Sequence, residues 1–214
     1  MKVVTARRVL SNRQCYQFLA GISTITCRIL WLDGAACGLE RRWSAEPWVM
    51  FSDAGREKMF GILSHQVSEL TFSGTVRCRG KGNVRGKFHG RNLSVMVGSG
   101  LLYQGAILFI EDTGEVAYRL DYMLTTLLRS EGFSGIVGIA IGQLLDGDTD
   151  GYTAPELLDK TLAPLGLPVI AALSIGHDTA TAMPVVLGAD TDIDVEAGSL
   201  VVSFCSLGQR LGYH

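Results

Sequence analysis

The sequence predicts an α/β fold. Short continuous apolar runs recur at 106–110 (AILFI), 136–141 (IVGIAI) and 167–173 (LPVIAAL), each short enough for a strand buried on both faces. Between them lie stretches with helical periodicity, and turn-forming or acidic residues close each run. Strand, helix, strand, helix, strand in succession is the pattern of a sheet with crossover helices.

Taken in order, the N-terminal half is the less regular. Residues 19–32 hold GISTIT and then a mixed helix, and 33–50 is irregular around Pro47. A helix is expected within 55–70, where Met59, Ile62, Leu63, Val67 and Leu70 fall on one face. From Thr75 to Asn92 the chain is rich in Gly, Arg and Lys, with Val76, Val84 and Phe88 interleaved as in edge strands. The first buried strand, 106–110, is closed by Glu111 and Asp112. Residues 118–130 then place Leu120, Met123, Leu124, Leu127 and Leu128 on one helical face, and Gly132 stops that helix. After the strand at 136–141 comes an acidic loop, DGDTDGY. Thr153 and Glu156 form a capping box for a helix to about Ala163. The strand at 167–173 runs into SIGHD. The last segment, TDIDVEAGSLVVSF, alternates with Asp190, Asp192 and Asp194 on one face and reads as a hairpin turning at 196–199.

The bulk numbers fit a folded chain. Of 214 residues, 47 % are hydrophobic and 19 % charged, enough for a real core. No apolar run reaches the roughly 18–20 residues that cross a bilayer, and MKVVTARRVLSNRQ lacks the apolar stretch of a secretory signal. The cysteines (Cys15, Cys27, Cys37, Cys78, Cys205) are odd in number and form no CxxC pair, so neither a disulfide framework nor a zinc site is expected. They read as reduced thiols of a cytoplasmic protein. The net charge of −2 hides an asymmetry, basic over residues 1–91 and acidic over 92–214. The simpler reading is that the two halves attract each other, within a chain or across a dimer.

Three polar residues stand out by position. Ser23 sits in the tight GISTIT stretch before a helix, Glu111 closes a buried strand, and His177 follows another in a Gly-His turn. In open α/β sheets reactive groups gather beyond the carboxyl ends of strands. A serine, a histidine and a carboxylate there supply a nucleophile, a base with a pKa near 7, and a group that orients that base. Taken one at a time, each has a simpler role that outweighs the catalytic one. Ser23 reads as an N-cap, His177 as a loop histidine, and Glu111 as a cap for the next helix or a partner of Arg119.

A resemblance changes that balance. GAILFIEDTGEVAYRLDYMLTTLLRSEGFSGIVGIAIGQ resembles a strand closed by glutamate, a tyr-arg-ile-asp helix and a val-x-gly-ile-x-x-gly strand. DGYTAPELLDKTLAPLGLPVIAALSIGHD is similar to a tyr-thr-x-x-glu helix, a leu-pro-val strand and a gly-his turn. AMPVVLGADTDIDVEAGSL matches a leu-pro-leu-gly segment with an ala-gly-x-leu ending. GKFHGRNLS resembles gly-x-leu-x-gly-gly-asn-leu, with Arg91 in place of a glycine. Together, from about residue 80 onward, these resemble the LD-carboxypeptidase family of serine peptidases, including the microcin self-immunity type. Upstream the likeness thins. GISTIT resembles the gly-aromatic-ser-asp-x-thr nucleophile motif, but Ile22 replaces the aromatic and Thr24 the aspartate.

The resemblance implies an α/β fold with an LD-carboxypeptidase-like C-terminal domain (76–214) and an incomplete Rossmann-like N-terminal portion (1–75) that bears the nucleophile. It implies Ser23 as nucleophile, Glu111 as the orienting carboxylate and His177 as the base, with Asp112 and Glu115 as nearby alternatives for the carboxylate. The implied reaction is hydrolysis of the amide to a terminal D-amino acid in murein-type peptides, through an acyl-enzyme, with no cofactor or metal. The implied partners are a small peptide substrate and a second copy in a homodimer, with no membrane. The chain begins too late to hold the family's upstream portion. A truncated, catalytically inactive relative acting as a fragment or interaction module is therefore the alternative, and Thr24 and the irregular stretch 33–50 point the same way.

Two further signals are weaker. DGDTDG mimics the start of a calcium loop, but its twelfth position is Leu157, with Glu156 one residue early, and a strand precedes it. The basic stretch (Arg77, Arg79, Lys81, Arg85, Lys87, Arg91) has only Phe88 to stack on a base, so nucleic acid is not the expected partner.

Overall fold

A computed structural model describes residues 52–63, 66–97, 103–145 and 153–204. The GISTIT stretch, the irregular residues 33–50 and the acidic loop 146–151 lie outside them. Helix α1 (Asp53–Leu63) leads into strands β1 (Glu69–Ser73), β2 (Thr75–Cys78) and β3 (Val84–Asn92) and the single turn α2 (Leu93–Met96). Then follow β4 (Ala106–Thr113), α3 (Ala117–Leu128), β5 (Gly138–Leu145), α4 (Ala154–Leu162), β6 (Val169–Ala171), β7 (Asp190–Asp194) and β8 (Ser199–Ser203). The strands form one eight-stranded sheet in the order β1-β8-β7-β3-β4-β5-β6-β2. Its middle, β3 to β6, is parallel, and both flanks are antiparallel. The expected α/β class is the observed one.

The parallel centre arises from the two crossovers β4–α3–β5 and β5–α4–β6, since parallel neighbours cannot be joined by a hairpin. Each crossover helix buries the stripe its periodicity predicts: Leu120, Met123, Leu124 and Leu127 from α3, and Leu157, Leu158 and Leu162 from α4. Both lie on one face of the sheet, packed on Ala106, Leu108, Ile110, Ile139 and Ile141. The opposite face carries Phe88, Ile107, Phe109 and Ala140. It is covered by Ile62 of α1 and by Leu173, Ile175, Val185, Val186 and Ala189, from a segment that returns across it between β6 and β7. β4 is thus buried on both sides, and for this reason it reads as an unbroken apolar run and not an alternating one.

Two expectations need correction. The helix expected within 55–70 ends at Leu63, and Leu70 belongs to β1, where Leu70 and Phe72 point inward with exposed neighbours between them. Period two replaces the helical period there because the segment pairs with β8. The basic stretch does not form edge strands throughout. β2 is at the sheet edge, but β3 is internal, between β7 and β4. Its positive side chains meet the acidic row of β7 instead of solvent alone: Arg85 pairs with Asp192 and Lys87 with Asp190. β3 also needs Gly90, whose φ is +148° and where a Cβ would stand 1.8 Å from the Phe109 carbonyl oxygen.

Candidate functional site

Alternation along β4 decides where its terminal carboxylates point. Phe109 faces the returning segment and Ile110 faces the helices, so the next residues diverge. Asp112 is 2 % exposed and fully occupied by local structure. Its Oδ1 accepts from Asn92 Nδ2 at 2.9 Å and from the Thr113 amide at 2.8 Å, and its Oδ2 accepts from the Ser94 amide at 2.9 Å. Those bonds tie the start of α2 to β4. Glu115 pairs with Arg119 at 2.7 Å. Glu111, in contrast, approaches His177, with Oε2 2.7 Å from Nδ1. Of the three carboxylates, Glu111 is the one beside the histidine, and Arg119 is paired elsewhere.

The fold explains how His177 arrives there. After β6, Ala172 adopts a left-handed conformation with φ 59°, and the chain turns back over the sheet. The Leu173 amide donates to the Ile141 carbonyl at 3.2 Å, and the Gln143 amide to the Ile175 carbonyl at 2.8 Å. Residues 173–175 therefore run beside the end of β5, and Gly176-His177 emerges over Glu111. Gly142 makes that approach possible: a Cβ on it would meet the Ile175 oxygen at 2.2 Å and the Phe109 ring at 3.0 Å. The β4–β5 register shifts at the same level. Ile110 faces Ile141 but Asp112 faces Leu144, so Gly142 and Gln143 together oppose Glu111. Such bulges re-aim side chains next to functional sites.

The contact is sheltered. The side chains of Glu111 and His177 are 4 % and 15 % exposed, and both facing atoms are fully buried. At 2.7 Å the two atoms touch, as a close pairing whose angles fall outside those of a hydrogen bond. A buried carboxylate beside Nδ1 favours the tautomer that carries its proton there and stabilises an imidazolium when one forms. Next to the histidine, the Thr181 hydroxyl and the Ala180 amide hold the Asp178 carboxyl below its ordinary range. Among the described residues no group of three His, Cys, Asp or Glu is arranged to hold a metal ion.

Of the residues singled out in sequence, the structure brings Glu111 and His177 together, whereas Ser23 lies outside the described residues. Gln143 and Thr181 were not foreseen. The only hint was polar side chains flanking the ends of apolar runs.

Residues 85–193 match the LD-carboxypeptidase C-terminal domain, just over half of the chain. The chain belongs to the LD-carboxypeptidase family. A provisionally named carboxypeptidase of Synechocystis sp. is 35 % identical over 130 residues, covering 56 % of this chain and 42 % of that relative. The chain thus spans less than half the length of that curated relative. The crystal structure of muramoyltetrapeptide carboxypeptidase from Oxalobacter formigenes is similar in fold, with a TM-score of 0.55 and 23 % identity over 65 % of this chain and 52 % of that one. The microcin C7 self-immunity protein MccF, solved in complex with aspartyl sulfamoyl adenosine, has a TM-score of 0.54 and 19 % identity over 72 % of this chain and 57 % of that one.

Proposed function

We propose that this chain is a serine carboxypeptidase that hydrolyses the amide to a terminal D-amino acid in murein-type peptides, with Ser23, His177 and Glu111 as its catalytic set. The observation that supports this best is the buried Glu111–His177 contact at the carboxyl end of the parallel strands. In this reading His177 Nε2 takes the Ser23 hydroxyl proton as the oxygen attacks the scissile carbonyl. Glu111 holds the imidazole tautomer and balances its positive charge. Collapse of the tetrahedral intermediate passes the proton to the departing D-amino acid nitrogen, leaving an acyl-enzyme on Ser23. Water, deprotonated by His177, then attacks the ester and regenerates the serine.

The test is release of D-alanine from a murein tetrapeptide by the full chain and by Ser23→Ala. Release by the parent that falls at least about 10³-fold in the variant is expected, since loss of a triad nucleophile removes most of the acceleration. One observation favours a second reading, an inactive relative serving as an interaction module: Thr24 stands where the family's nucleophile motif has aspartate. A folded parent that releases no D-alanine would favour it over the first.

A further inference from the structure

We propose that Gln143 is a positioning residue for His177, gripping the turn that carries the imidazole. Only the kinetic part of this inference rests on the function proposed above. Gln143 occupies the β5 bulge opposite Glu111. Its Oε1 accepts from the Asp178 amide at 2.8 Å, the N–H immediately after His177. Its Nε2 donates to Thr181 Oγ1 at 2.7 Å, and that hydroxyl donates to Asp178 Oδ2 at 2.8 Å. The ring of bonds closes on the Thr181 and Ala182 amides, which donate to the Asp178 carbonyl at 3.0 and 2.7 Å. On the other side of the histidine, Gly176 has φ +148°, and a Cβ there would lie 2.8 Å from Gln143 Cβ. One side chain thus bonds the backbone just after His177 and lies close against the backbone just before it.

This matters because the Glu111–His177 contact is close but not aligned. The imidazole moves with the 177–178 backbone, so holding that peptide holds the place where Nδ1 meets the carboxylate. Gln143 reaches no reacting atom through the bonds it makes; it acts through the turn. Displacements on the order of 1 Å in such supports cost about 10²-fold in rate.

The experiment uses the full chain and two variants, Gln143→Met, which keeps the volume and loses both bonds, and Gln143→Asn, which stays polar but falls short of the turn. The first readout is the ¹⁵N spectrum of the His177 ring, assigned against His177→Gln. It is expected to show a changed tautomer balance and a shifted titration in both variants, and a merely structural staple would leave it unmoved in the folded protein. The second is D-alanine release, with kcat expected to fall about 10–100-fold and KM to stay within about threefold. Unchanged ring nitrogens in whichever variant folds would overturn the inference. If the parent releases no D-alanine, the function proposed above fails, while the ring spectrum still decides the role of Gln143.

Discussion

In the proposed reaction Glu111 acts on His177 through charge as well as shape, and the two can be separated by one atom. Glu111→Gln keeps the volume but removes the negative charge, and its amide can present an N–H to Nδ1, turning the imidazole to the wrong tautomer. The expected result is a kcat lower by about 10²–10⁴-fold with KM within a few-fold and a thermal midpoint close to the parent's. Steady-state kinetics and a melting curve on the same preparation check it, and an unchanged kcat would remove Glu111 from the reaction. The choice among neighbouring carboxylates was only half legible in the sequence. Glu111, Asp112 and Glu115 all follow the same strand, and the strand's end singles out Glu111 only when its face is known. Asp112 is instead bonded to Asn92 of β3 and Ser94 of α2, contacts that leave no trace in local composition.

The elements legible in the sequence are those that local patterns specify without help. The capping box at Thr153 is one. The Glu156 amide donates to Thr153 Oγ1 at 3.4 Å, and the Thr153 amide donates to Glu156 Oε2 at 3.1 Å, so two otherwise open helix N–H groups are satisfied. Thr153→Ala is expected to destabilise the fold by about 1 kcal/mol, measured as a lower urea midpoint with an unchanged slope. A loss below a few tenths would mean α4 is held by its buried leucines alone. The less legible elements depend on distant partners. Leu70 continues the helical spacing of 59–67 but belongs to β1, which pairs with β8. The turn at 176–181 has no periodicity, and it is bonded both within itself around Asp178 and to Gln143 at the end of β5. The β5 bulge cannot be read from GIAIGQLL, because only pairing with β4 defines an extra residue.

Among the described residues, part of the charge asymmetry becomes contacts. Arg77 with Asp159, Arg79 with Glu196, Arg85 with Asp192 and Lys87 with Asp190 each join the basic half to the acidic one. Attraction between halves was legible from composition, while the pairing needed the β3–β7 register. Acid should therefore weaken the fold, and two carboxylates give the response a definite sign. Asp178 is held below its ordinary range by the Thr181 hydroxyl and the Ala180 amide, and Asp194 by the Ala197 and Glu196 amides. Because the folded state holds these protons less tightly than the unfolded one, their stabilisation is complete above the unfolded aspartate value, about 4. It is lost as pH falls below that toward the lower folded values. The urea midpoint of the parent is expected to be flat from about pH 7 to 5 with respect to these groups and to fall below about pH 4. The double variant Asp178→Asn, Asp194→Asn should start lower at neutral pH and fall less steeply in acid, so the two curves converge. Parallel curves across the acid range would show that the turn beside His177 and the β7–β8 hairpin draw nothing from these ionised carboxylates.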